Sequence, residues 1–132
     1  MSRLTRVVDG WYEYQRLREK VAQLTSIAEK ITPQLSDMPH ASSSKSKDET
    51  WAALIDYKNK CQNALAQYYK DCKDLDEELN VIQNPEIRIA MKYKYIDRQS
   101  AEKIARKINF DVRTVYRFLK TGRRIYEDVY GK

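Results

Sequence analysis

Three cations near the carboxyl end, Arg113, Arg117 and Lys120, are spaced four and three residues apart and so share one helical face. A guanidinium at such a position can give two parallel hydrogen bonds to guanine, and any of the three can neutralise a phosphate. Val115, Phe118 and Leu119 occupy the opposite side of the same stretch and supply an apolar backing. An apolar-backed helix that shows cations from its first turns has the form of a recognition helix in a DNA major groove.

The residues around this face must position it. Ser100 is placed to cap a helix, with Glu102 in its first turn facing the positive end of the dipole. Ile104, Ala105 and Ile108 form its apolar stripe, with a small residue where another helix can approach. Asn109 suits a left-handed turn conformation, Phe110 is an apolar plug, and Asp111 caps the second helix. The stretch Ser100–Lys120 therefore reads as a helix-turn-helix. Asn84-Pro85 marks the start of a preceding helix, with Asn84 as cap and Pro85 in the first turn. Ile87, Ala90, Met91 and Tyr95 lie on one side of it, which predicts a three-helix core. Ile125 and Val129 extend the recognition helix to about Tyr130, and Gly122 within it permits a bend or a close approach.

Charge is distributed unevenly along the 132 residues. Residues 1–83 carry 12 Lys+Arg and 13 Asp+Glu, whereas residues 84–132 carry 13 and 6. All the excess positive charge thus accompanies the helix-turn-helix, as a polyanion partner would require. No run of about 18 apolar residues is present, and the opening MSRLTRVVDGWYEYQ has no apolar signal core, which predicts a cytoplasmic protein without a membrane partner.

Upstream, Leu4, Val7, Trp11, Tyr14, Leu17, Val21, Leu24, Ala28 and Ile31 predict one long helix over 2–31, with a slip between Tyr14 and Leu17. Residues 32–47, TPQLSDMPHASSSKSK, break the pattern and predict a mobile loop holding the only histidine, His40. Ser46 and Glu49 fit a capping box that opens a second long helix. Trp51, Leu54, Lys58, Cys61, Leu65, Tyr68, Cys72, Leu75, Leu79 and Ile82 then keep an unbroken heptad spacing. Cys61 and Cys72 fit this seam as small apolar residues. The acidic run Asp71, Asp74, Asp76, Glu77, Glu78 is expected on the outer, solvated face. The seam suits helix 1, a second copy of the chain, or both; the aromatic load of Trp11, Tyr12, Tyr14, Trp51, Tyr57, Tyr68 and Tyr69 favours a homodimer through these helices.

The expected fold is all-α: a long helical hairpin, coiled-coil-like, over 1–83 and a three-helix helix-turn-helix module over 84–132. No Gly-rich phosphate loop, histidine pair, nucleophile-base grouping or metal-ligand spacing accompanies it, so no enzyme activity, cofactor or metal is expected.

From Pro85 to about Ile125 the chain resembles region 4 of bacterial sigma factors, and more closely small phage-encoded transcription regulators of the ArpU/RinA type. PEIRIAMKYKYI matches the bracing helix, SAEKIARKI the first helix of the motif and DVRTVYRFLK the second. Arg98 and Asn109 stand where that pattern usually has glycine. In that family a helical hairpin with a serine-rich linker precedes the module, so the likeness extends loosely over the whole chain. It implies a sequence-specific double-stranded DNA-binding transcription regulator in a bacterial host cell. Ser100, by this likeness, touches a phosphate, and Arg113, Thr114 and Arg117 face base edges. Lys103, Lys107, Arg123 and Arg124 are expected to add phosphate contacts, and Tyr116 and Lys120 to join the base-reading set. Two alternatives are a module that binds RNA polymerase or another regulator, and a DNA-packaging recognition subunit, which also joins a helix-turn-helix to an oligomerising coil.

Overall fold

The computed structural model describes residues 2–37 and 41–131, with side chains over 2–30 and 48–131. It is all-α: α1 (Arg3–Asp37), α2 (Ala41–Glu78), a 3-10 turn (Leu79–Val81), α3 (Pro85–Tyr95), α4 (Ala101–Ile108) and α5 (Val112–Tyr130). None of the described helices is long and apolar enough to cross a membrane.

Both long helices extend further than expected. Helical backbone occupies 32–37 and 41–47, where a loop over 32–47 is expected; the rest of that stretch is 38–40. Those three include His40 and lie outside the described residues. Ser46 sits inside α2 instead of capping it. Serine is only a fraction of a kcal/mol poorer than a good helix former, and a helix once nucleated adds residues cheaply. Pro33 removes one backbone hydrogen bond without ending α1.

Contacts divide the chain into two compact units. One is Gly10–Tyr68, the hairpin proper. There Leu17, Ala28, Leu54 and Tyr68 are buried, as the heptad spacing predicts. Trp11, near the start of α1, packs on Tyr68, near the end of α2, with ring centroids 5.3 Å apart. That pairing belongs to an antiparallel hairpin. Val21, Leu24, Cys61 and Leu65 stay half-buried in the seam.

The other unit joins Met1–Asp9 to Tyr69–Lys132. Leu4 and Val7 are buried in it, as are Cys72, Leu75, Leu79 and Ile82 at the end of the heptad run. The acidic run lies in this unit as well. It is a solvated outer face only in part, with Glu77 exposed: Arg6 Nη2 donates to Asp71 Oδ1 at 2.9 Å, and Arg3 Nε to Glu78 Oε1 at 2.8 Å. Asp74 lies 3.6 Å from the Arg3 guanidinium, and Asp76 3.3 Å from Lys92 Nζ. Asp71 is buried, so its carboxylate depends on such partners to offset its desolvation.

Tyr126 of α5 joins the same network. Its ring is fully buried and its hydroxyl donates to Glu78 Oε1 at 3.1 Å. Burial, and after it the adjoining carboxylate, push the phenol well above the ordinary tyrosine range. With a folded-state value above the unfolded one, stability from this group is complete below about pH 10 and declines as pH rises beyond it, because the unfolded chain loses the proton first. Tyr126→Phe is therefore expected to flatten the alkaline loss of stability. Urea midpoints of both proteins between about pH 9 and pH 11 measure this, and parallel curves count against the assignment.

Candidate nucleic-acid interface

Three helices build the candidate surface, and each starts on a side chain that satisfies its free amides. Asn84 Oδ1 accepts from the backbone N–H groups of Glu86 and Ile87 at 2.9 and 3.2 Å, with Pro85 in the first turn. Ser100 Oγ accepts from Lys103 N at 3.3 Å, and Asp111 Oδ2 from Arg113 N at 3.3 Å. Caps of this kind contribute about 1 kcal/mol each.

The turn between α4 and α5 has the backbone that its residues suggest. Asn109 is left-handed at φ 59°, and the next amide, Phe110 N, closes on Ala105 O at 3.1 Å. Phe110 then packs edge-on against Phe118 at 5.2 Å between centroids. Arg98, in the turn before α4, also has positive φ, 54°. Both positions are ones that glycine would fill without strain.

Beneath the surface, Ala90, Met91, Ile104, Val115 and Leu119 are buried, with Ile87, Ile108 and Phe118 half-buried beside them. α5 comes unusually close to α3 at Gly122. A Cβ there would lie 2.5 Å from Met91 Cγ and 3.2 Å from Ile87 Cγ2. Gly122 is thus a point of close approach, and the helix runs through it for 19 residues.

Opposite that buried side, Arg113, Tyr116, Arg117, Lys120, Arg123 and Arg124 are all exposed, and Thr114 is half-buried. Arg113, Arg117, Lys120 and Arg124 follow at intervals of four, three and four, which lines them along one edge of α5. On α4, Lys103 and Lys107 are exposed and four apart. Two of the expected phosphate contacts are partly engaged within the fold. Ser100 uses its hydroxyl oxygen for the cap, and Lys107 Nζ sits over the Tyr93 ring at 4.9 Å from its centroid. Arg106, exposed on α4 three residues after Lys103, escaped the sequence analysis, although that spacing was visible in it.

Electrostatics separates these cations from three others of the same unit. Arg3, Arg6 and Lys92 are matched by carboxylates. Among the described residues, Lys103, Arg106, Arg113, Arg117, Lys120, Arg123 and Arg124 form no ion pair. Such a set carries a local positive field that only an external anion can balance. Among the described residues no group of three His, Cys, Asp or Glu is placed to hold a metal ion.

The family described as "Protein of unknown function (DUF1492)" matches residues 30–127. The chain belongs to the DUF1492 family. No curated protein matches it, and no solved structure does either. In this DUF1492 member the match takes in α2, the whole of α3 and α4, and α5 as far as Glu127, including every residue of the exposed cationic edge. Residues 3–9, whose arginines meet the acidic run, lie outside it.

Proposed function

We propose that this protein is a sequence-specific double-stranded DNA-binding transcription regulator, of the phage or prophage ArpU/RinA type with a sigma region 4-like helix-turn-helix, acting in the cytoplasm of a bacterial host. The observation that carries the reading is the unpaired cationic edge of α5, mounted on a capped and fully packed helix-turn-helix. In this reading α5 enters the major groove. Arg113, Thr114, Tyr116, Arg117 and Lys120 face base edges, while Ser100, Lys103, Lys107, Arg123 and Arg124 meet phosphates. Phosphate contacts supply most of the affinity and make it fall steeply with salt; base contacts supply the preference among sites.

Homodimerisation through the hairpin belongs to the same proposal. Tyr12, Ile27, Trp51 and Ile55 are exposed on that unit, an apolar load that a second copy would remove from water. Ile89, exposed on α3, supports a second reading in which the module also docks on RNA polymerase or another regulator. In vitro selection of the purified protein against random duplex DNA at moderate salt tests the main reading. A recovered motif supports it, and paired half-sites at a fixed spacing support the dimer. A folded protein that enriches no motif moves the assignment to protein docking.

A further inference from the structure

Among the exposed residues of α5's cationic face, one is apolar in body and is the most exposed ring of its module. Tyr116 is 55% exposed. Phe110 and Phe118 pack on each other, Tyr126 and Tyr130 lie 5.0 Å apart, and Tyr93 lies under Lys107. Among the described residues, no ring, cation or hydrogen-bonding group engages the Tyr116 side chain. Its neighbours on the helix surface are Arg113, three residues before it, and Lys120, four beyond.

A ring more than half exposed among cations contributes little to the fold. It also marks what the cations are to meet. Within a major groove the base edges present donors and acceptors, and a single apolar group: the C5-methyl of thymine. We infer that Tyr116 reads this methyl, so that the preferred site holds a thymine beside the base pairs contacted by Arg113 and Arg117. The assignment rests on the DNA-binding function proposed above. It adds a chemical preference to it: deoxyuridine offers the same pairing edge without the methyl, and an A-form RNA groove is too narrow to admit the helix.

The test uses the full-length protein and the duplex site recovered by selection. Each thymine of the site is replaced in turn by deoxyuridine, which keeps base pairing and removes one methyl group. One of these replacements is expected to weaken binding about fourfold, the size of one buried methyl. Tyr116→Ala is expected to bind that thymine duplex and its deoxyuridine twin equally, whereas Tyr116→Phe, which keeps the ring, retains the difference. The position is exposed, so both variants should fold; circular dichroism checks this. Equal binding of every substituted duplex by the unaltered protein overturns the assignment, and so does a deoxyuridine penalty that persists in Tyr116→Ala. Both of those outcomes leave sequence-specific binding intact. Failure to recover any site in the selection overturns the DNA-binding reading and this one together.

Discussion

Gly122→Leu is expected to lower the stability of the protein by at least about 3 kcal/mol, the upper part of the range for overfilled cores. The reason lies in the α3–α5 crossing. Even a methyl group at residue 122 meets Met91 Cγ at 2.5 Å and Met91 Sδ at 2.6 Å, and Met91 is itself fully buried. Met91 cannot swing into solvent, so a larger side chain must push the helices apart and expose Ala90, Met91 and Val115. Gly122→Ala should fall between the two proteins, because about 1 kcal/mol of helix propensity offsets part of the clash. Gly10 supplies the control: a Cβ there would stand 3.7 Å from Tyr68 Cδ1, an ordinary contact. Gly10→Ala is therefore expected to add up to about 1 kcal/mol. Urea unfolding of all four proteins measures the series; a Gly122→Leu midpoint equal to that of the original chain removes the close-packing account.

Pairing Arg113→Ala with Arg117→Ala is expected to abolish discrimination between the selected site and random duplex DNA. Each guanidinium that gives two hydrogen bonds to a guanine contributes about 1–3 kcal/mol of preference, so two together account for roughly thirtyfold to twenty-thousandfold. Binding to random DNA should persist at reduced strength, with its salt dependence shallower by about one charge per arginine removed. Lys103→Ala, taken alone, should weaken both duplexes alike, since a phosphate contact carries no sequence information. Both duplexes are titrated at several salt concentrations. If the arginine pair costs the same affinity on both, these residues hold phosphates and the base-reading role lies elsewhere on α5. Neither arginine is buried or paired in the fold, so the change should leave the melting temperature nearly unaltered.

Most of the helix-turn-helix is legible in the sequence, because its signals are local. Asn84, Ser100 and Asp111 cap the helices they precede, and Asn109 takes the left-handed conformation assigned to it. A cap needs only its own side chain and an amide two or three residues on, so neighbouring residue types suffice to find it. The heptad run was legible for the same reason. Other features depend on residues far apart in the chain. Nothing local about Arg3 or Arg6 points to Asp71 or Glu78, 65 to 75 residues away, and the acidic run therefore looked like a solvated face. Tyr126 shows the same limit: the apolar spacing of α5 favoured Ile125 and Val129, yet Tyr126 is the fully buried residue, since Glu78 receives its hydroxyl. The serine-rich stretch failed in the opposite direction, since weak local preferences lost to the helices growing from either side. For the candidate interface, spacing identified the cationic face; that its charges go unpaired required the fold.

The union of residues 1–9 with 69–132 also bears on how the molecule comes into being. During synthesis the segment carrying Arg3 and Arg6 leaves the ribosome before its acidic partners, which follow 65 to 75 residues later. At about 5–20 residues per second that is a wait of several seconds, during which Leu4 and Val7 have no core to enter. Assembly of this unit must then close a long loop, a slow and entropically costly step compared with the zipping of the individual helices. A fragment beginning at residue 84 lacks both sides of this closure. Its helix-turn-helix would carry the cationic edge but not the Glu78 that receives Tyr126, and the far end of α5 should fray first.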